Sequence, residues 1–223
     1  MTNIKIFFYL VFIAFLSSCA TNQVVFNKDI NHDTNILVIS DYSDTLHIEV
    51  IGSTIFGNGM KDLENFGISA NKTILKHLSE KEASSNFIPY TGDINLYKLD
   101  LQKNQEFFIN AAKDFNCQFV LLITDGVYKW DGFFGEYKGF GIKRRKNFGQ
   151  QFTFKYAVIK ANLIDTNTIN SVGTVTKIKQ TKIHVFPNEK MDELDRERFD
   201  IFKYGFDSLL TGAIDKILLE MEI

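Results

Sequence analysis

Between Phe152 and Asp165 the chain offers apolar residues to both faces of an extended strand. Successive side chains of a strand point to opposite sides. Phe152, Phe154, Tyr156 and Val158 therefore share one face, and Ala157, Ile159, Ala161 and Leu163 share the other. Two arrangements satisfy this pattern: a β-bulge near Val158 that re-aims the side chains, or a strand covered by packed layers on both faces. Either one places the segment inside a sheet, so other strands must flank it. Asp165-Thr166-Asn167-Thr168 turns the chain into a Thr- and Val-rich strand through about Thr181, which predicts a long hairpin in the second half.

The flanking strands are sought upstream. Asn35 to Ser40 contains the continuous apolar run Ile36-Leu37-Val38-Ile39, fitting a buried strand. Leu46, Ile48 and Val50 alternate with His47 and Glu49, fitting a half-exposed one. A glycine-rich connection, 54–59, precedes a helix expected from Met60 to about Lys81, where Leu63, Phe66, Ala70, Ile74, Leu75 and Leu78 recur at helical spacing. Phe87-Ile88-Pro89-Tyr90 reads as an edge strand, because Pro89 cannot donate to a central ladder. A second helix is expected from Asn104 to Phe115 with Asn116 as a left-handed stop. Phe119 to Thr124 is then the central strand, ended by Asp125-Gly126. Trp130 to Phe148 reads as an irregular hairpin, and Ile183 to Phe186 as a short strand. A last helix is expected from about Glu193 to Glu222, with Phe199, Phe202, Phe206, Leu209, Leu210, Ala213, Ile214, Ile217, Leu218 and Met221 in one stripe. The fold class is α/β (α+β): a single mixed sheet packed by three helices, with the amphipathic C-terminal helix on the sheet.

The N-terminal segment follows a different rule. Lys5 precedes an unbroken apolar run of eleven residues, Ile6 to Leu16. About 20 apolar residues are needed to cross the hydrocarbon core, so this run has the length of a signal-peptide h-region. Leu16-Ser17-Ser18-Cys19 resembles the bacterial lipobox, Leu-(Ala/Ser/Thr)-(Gly/Ala/Ser)-Cys, at all four positions. The resemblance implies diacylglycerol on the Cys19 sulfur, cleavage before Cys19 and acylation of the new amino terminus. It implies no other cofactor. Residues 1–18 are then a signal peptide, 19–34 a lipidated tether and 35–223 a single domain. Ala20, where Asp would mark inner-membrane retention, favours the periplasmic face of an outer membrane. Without Lys5 the chain keeps 24 Lys and Arg against 27 Asp and Glu, a net charge of −3, which gives no field toward nucleic acid. Cys117 is then the remaining thiol, and no His stands near it in sequence to activate it.

Motifs for chemistry are sparse. Gly52 to Gly59 lies between a strand and a helix, but Asn58 stands where a phosphate loop needs Lys. His32, His47, His77 and His184 show no metal-ligand spacing, and Gly-x-Ser-x-Gly is absent. Asp125 and Glu136 form an acid/base pair only if folding brings them together. No residue is assigned as catalytic. The unusual charge feature is Lys143-Arg144-Arg145-Lys146, with Trp130, Phe133, Phe134 and Tyr137 upstream. Four positive charges at a hairpin tip are either solvated or matched to an anion. Trp130, Phe133, Phe134, Lys143, Arg144, Arg145 and Lys146 are thus a candidate binding patch for anionic lipid headgroups, an acidic glycan polymer or an acidic protein face.

Three segments resemble a group of bacterial envelope proteins: the N-terminal domain of TolB, the curli secretion lipoprotein and the lipoprotein activators of peptidoglycan synthases. They are the strand Ile36 to Ser40, the helix-to-strand passage Ala111 to Leu121, and Tyr156 to Thr168, which is similar to a strand ending in Leu-Ile-Asp-x-x-Thr-Gly. Asn170 falls near where that turn often has Gly. The resemblance implies a small α/β domain and brings no catalytic residue. Two functions stay open: a non-catalytic envelope lipoprotein that binds a protein or polymer partner, and a lipid-anchored hydrolase acting on envelope material.

Overall fold

The computed structural model describes residues 30, 34–52, 58–64, 67–81, 85–94, 102–130, 135–147, 150–183 and 204–223. Leu16, Ser17, Ser18, Cys19, Phe133 and Phe134 lie outside the described residues, as do Phe199 and Phe202. The strands are β1 (Asn35–Asp41), β2 (Leu46–Ile51), β3 (Gly59–Leu63), β4 (Asn86–Pro89), β5 (Phe119–Asp125), β6 (Val127–Trp130), β7 (Gly135–Lys138), β8 (Phe140–Asn147), β9 (Gln150–Asp165) and β10 (Asn170–Ile183). The helices are α1 (Ala70–Ser79), α2 (Gln105–Asp114) and α3 (Phe206–Met221). The main sheet is mixed and eight-stranded, and β6 and β7 form a separate two-stranded ribbon.

Register shows how so many strands share one sheet. β10 pairs with β9 from 153 to 165 along one edge. The opposite edge of β9 is shared: β8 pairs with 150–157 and β5 with 159–165, both antiparallel. β5 and β8 are thus collinear, one long strand interrupted by the β6–β7 ribbon. β1 and β2 repeat the pattern in the next column, running parallel to β5 and β8 respectively. β4 flanks β1 and β3 flanks β2 on the outside. Three backbone bonds close the fork where the ribbon leaves: Gly126 N–H donates to the Val158 carbonyl (3.1 Å), Val158 N–H to Gly139 (2.7 Å), and Gly139 N–H to Gly126 (3.0 Å). Gly139 has φ of +53°, a left-handed conformation that glycine adopts without steric cost.

β9 is covered on both faces and keeps continuous register through Val158, so of the two arrangements its pattern allows it takes the second. A register shift falls instead in β10, between Ser171 and Gly173. On one face Ala157, Ile159, Ala161 and Leu163 pack with Ile36, Val38, Leu121 and Ile123 beneath α1 and α3. On the other, Phe108, Ala111 and Ala112 of α2 cover Leu37, Ile39, Val120, Leu122 and Ile164. The ribbon extends the cover on that face by laying Tyr137 on Tyr156 and Val158.

Several expected elements hold. β4 is an edge strand ending at Pro89. Asn116 (φ 51°) stops α2, and Cys117 N–H donates back to the Ala112 carbonyl at 2.8 Å. Others change. Met60 to Leu63 is not helix but β3, antiparallel to β2, with exposure alternating along it; helix begins only at Ala70, whose N–H is capped by the Asp44 carboxylate at 2.9 Å. The described C-terminal helix starts at Phe206, after a turn at Tyr204-Gly205 with Gly205 at φ of +89°, and the expected stretch from Glu193 up to the turn lies outside the described residues. Ile30, expected in the tether, is partly buried against the larger core. Among the described residues no helix is long and apolar enough to cross a membrane.

Candidate functional site

Two polar regions result from this arrangement. The first lies at the fork. Asp125 ends β5 and accepts a hydrogen bond from the Ser43 N–H at 3.1 Å, which fastens the link between β1 and β2 to the seam. Burial raises the Asp125 carboxyl above its usual value; the Ser43 N–H, His47 and Lys138 oppose that rise and Asp41 adds to it. His47 shares a 2.8 Å contact between its Nδ1 and Asp62 Oδ1. A methyl group on Gly139 would stand 3.4 Å from both Asp125 Oδ1 and His47 Nε2, so the two side chains face the same glycine. Tyr42 closes the seam by donating its hydroxyl to the Val158 carbonyl at 3.1 Å. Glu136 is not among the charges acting on Asp125; it faces Lys129 at 3.9 Å. Folding does not bring the two carboxylates together as an acid/base pair.

The second region is the basic cluster, and here the expected geometry needs correction. Lys143, Arg144 and Arg145 lie in the body of β8 between β2 and β9, and only Lys146 stands near the tip of the β8–β9 hairpin, one pair before Asn147 meets Gln150. Side chains alternate along β8, so the four charges do not form one surface. Lys143 is 2 % exposed. Its Nζ meets Glu49 Oε2 at 2.6 Å, donates to the Glu136 carbonyl at 2.9 Å and sits 4.6 Å from the Tyr137 ring centroid. It therefore pins β2 and the ribbon to β8, a buried charge kept in place by a partner and hydrogen bonding. Arg144 and Arg145 are half-buried and Lys146 is exposed; burial pulls the Arg144 guanidinium below its ordinary value.

Trp130 pairs with Gly135 at the end of the described ribbon, and a methyl group on Gly135 would stand 3.4 Å from Lys143 Nζ. What sequence reasoning missed is the contribution of β9 and β10. Phe152 lies opposite Arg145, and Phe154 lies between Lys143 and Lys182. Lys182 Nζ stands 5.3 Å from the Phe152 centroid, within range of a cation–π contact. The signal was present only in part: Phe152 and Phe154 stand two apart and share a face, whereas Lys182 stands an odd number of positions from Lys177 and Lys179 and faces the other side of β10. Their assembly depends on the β8–β9–β10 register.

Elsewhere, a cavity of about 410 Å³ opens between the first turns of α1 and α3, lined by Lys72, Thr73, Tyr204 and Asp207 among others. Thr73 donates to Asp207 at 2.9 Å across it. Lys155, buried beneath, donates to the Tyr204 carbonyl at 2.7 Å, and burial lowers its ammonium from the ordinary value. Cys117 is buried and free, and burial raises its thiol, the opposite of nucleophile activation. Among the described residues no group of three or more His, Cys, Asp or Glu is placed to hold a metal ion.

No family model and no curated protein matches the sequence. Solved structures do resemble it. PelC of Paraburkholderia phytofirmans, crystallised as a dodecamer, is 14% identical over 87% of this chain and 91% of that chain, with a TM-score of 0.39. A Xanthomonas campestris protein of family DUF330 is 10% identical over 83% and 82%, with a TM-score of 0.43. A lipoprotein of Neisseria meningitidis is 12% identical over 83% and 98%, with a TM-score of 0.30. The likeness at these scores bears on no residue of either polar region.

Proposed function

We propose that this chain is a lipid-anchored envelope protein that works by holding a protein or polymer partner, not by turning over a substrate. The observation that carries the reading is Leu16-Ser17-Ser18-Cys19 closing an eleven-residue apolar run behind Lys5. One acyl chain binds a bilayer only marginally, whereas the two or three chains a processed Cys19 would bear anchor it stably. Ala20 directs the anchor to the outer membrane, facing the periplasm. The inner charges support a holding role, because each has structural work: Lys143 joins three strands, Lys155 closes the start of α3, and Asp125 fastens the seam. Metabolic labelling with palmitate tests the anchor. The parent protein takes up label and fractionates with the outer membrane; Cys19→Ser takes up none and leaves that fraction. A Cys19→Ser protein that labels and fractionates like its parent overturns the reading.

A further inference from the structure

We propose that the outer edge of β10 takes up an extended acidic peptide of a partner protein as one more strand of the sheet. The inference deepens the holding role proposed above and rests on it for there being a partner to hold, but not on the lipid anchor. β10 pairs with β9 along one side, and among the described residues no strand pairs with its other side. Among the described residues it is also the longest such edge: fourteen residues, against five in β3 and four in β4, which ends in Pro89.

The direction of its backbone groups follows from the neighbouring strand. Val158 of β9 donates its N–H to Gly139 and accepts from Gly126, both on the side of β9 away from β10. Its partner across the β9–β10 ladder is Ile178. In an antiparallel pair, residues that exchange both bonds alternate with residues whose N–H and carbonyl both leave the ladder. Ile178 therefore turns both groups outward, and Thr174, Thr176, Gln180 and Lys182 do the same. Lys216 marks the same direction, since its exposed side chain reaches from α3 round the rim and its Nζ donates to the Ile178 carbonyl at 3.0 Å. Beyond the register shift between Ser171 and Gly173 the ladder is continuous, and β10 contains no proline, so all five outward N–H groups are donors.

A row of outward donors and acceptors is a template for an added strand, and charge selects which strand. β10 carries Lys177, Lys179 and Lys182 and no Asp or Glu. Lys177 is matched by Glu220. Lys179 is exposed and its stem lies against Gly212 on the α3 side of the sheet, where Lys216 also stands. Side chains of an added strand alternate between the two faces. Carboxylates at every second position thus fall on the α3 side beside Lys179 and Lys216. The residues between them lie beside Thr174, Thr176 and Ile178 on the opposite face, a β-branched row that pairs well with β-branched neighbours. A second β10 would bring the same lysines to the seam, whereas an acidic strand meets them with opposite charge. On its arrival the Lys216 ammonium leaves the Ile178 carbonyl for a carboxylate, and that carbonyl accepts a peptide N–H instead.

The test uses the full chain in detergent and a fluorescent peptide that alternates valine with glutamate. The comparison peptides carry lysine in place of glutamate, or keep the glutamates on a backbone N-methylated throughout. Anisotropy should show the acidic peptide bound, and binding at least tenfold weaker for both comparison peptides and for the Lys179→Glu and Thr176→Pro variants. Lys179 is exposed and the Thr176 N–H faces away from β9, so both variants should keep the parent's circular dichroism; Lys179→Glu remains decisive if Thr176→Pro misfolds. Amide exchange read by NMR should show Thr174, Thr176, Ile178, Gln180 and Lys182 gaining protection with peptide, while Val175, Lys177, Lys179 and Thr181 stay as they were. Outward amides that gain no protection overturn the proposal, as does an N-methylated peptide bound as tightly or unchanged binding by a folded Lys179→Glu. A parent dimer that excludes the peptide and dissociates in Thr176→Pro assigns the edge to a second copy and also overturns it. Palmitate labelling of the same proteins separates the two readings. Label without peptide binding condemns this inference alone; peptide binding without label condemns the anchor and leaves the edge contact standing.

Discussion

A methyl group at Gly141 would stand 2.1 Å from the His47 carbonyl oxygen and 2.7 Å from the Tyr156 hydroxyl. The first of these is backbone in the adjacent β2 strand, so the clash is relieved only by parting β2 from β8. Gly141→Ala is expected to destabilise by on the order of 3 kcal/mol or more. Gly212 in α3 is the contrast, since its added carbon meets only the flexible Lys179 side chain at 3.4 Å. There Gly212→Ala should stabilise by about 0.5–1 kcal/mol, because alanine loses less chain entropy in a helix. Urea unfolding of the two variants checks the pair; equal midpoints would show that the β2–β8 contact is not tight. Nothing in the sequence distinguishes these glycines. Lys143 shows the same limit, since a run of four cations reads as solvated until Glu49 and Glu136 are placed around one of them.

α1 and α3 lie side by side and are joined at helical intervals. Thr73 meets Asp207, and His77 meets Asp215 at 2.9 Å, with Lys81 paired to the same carboxylate. Partial burial works to raise the Asp215 carboxyl, but the Lys81 and His77 bonds outweigh it and hold it below the usual carboxylate value. A carboxyl depressed in the folded state contributes its stability above the unfolded value, ordinarily about 3.9. It loses that contribution as pH falls through the folded value. Asp215→Asn should therefore lower stability at pH 7, by no more than about 1 kcal/mol for a half-exposed pair, and the difference should vanish by about pH 2. Denaturation midpoints at the two pH values measure it, and a deficit that persists in acid would point to packing instead of charge. The stripe of α3 was legible at period 3.6, as was the face it buries. Its start was not, because apolar spacing continues upstream through Phe202 and Phe199, and the turn at Tyr204-Gly205 interrupts it.

β9 acts as the spine of the whole sheet: β10 backs it from 153 to 165, while β5 and β8 divide its other edge. Native-state hydrogen exchange should find the β9 amides on both sides of Val158 opening together, with those of β3 and β4 exchanging fastest at the outer edges. Separate opening of 150–157 and 159–165 would mean two modules meeting at the fork, not one cooperative sheet.

Local pattern alone determined the buried strands, the long hairpin, the edge role of Pro89 and the stop at Asn116, since each depends on residues a few positions apart. Tertiary structure decided the rest. It placed β8 inside the sheet, turned Lys143 inward, made β3 a strand and set Phe152 and Lys182 beside Arg145. These outcomes depend on strand register between segments far apart in the chain, and the free energy that selects a register lies in contacts between elements.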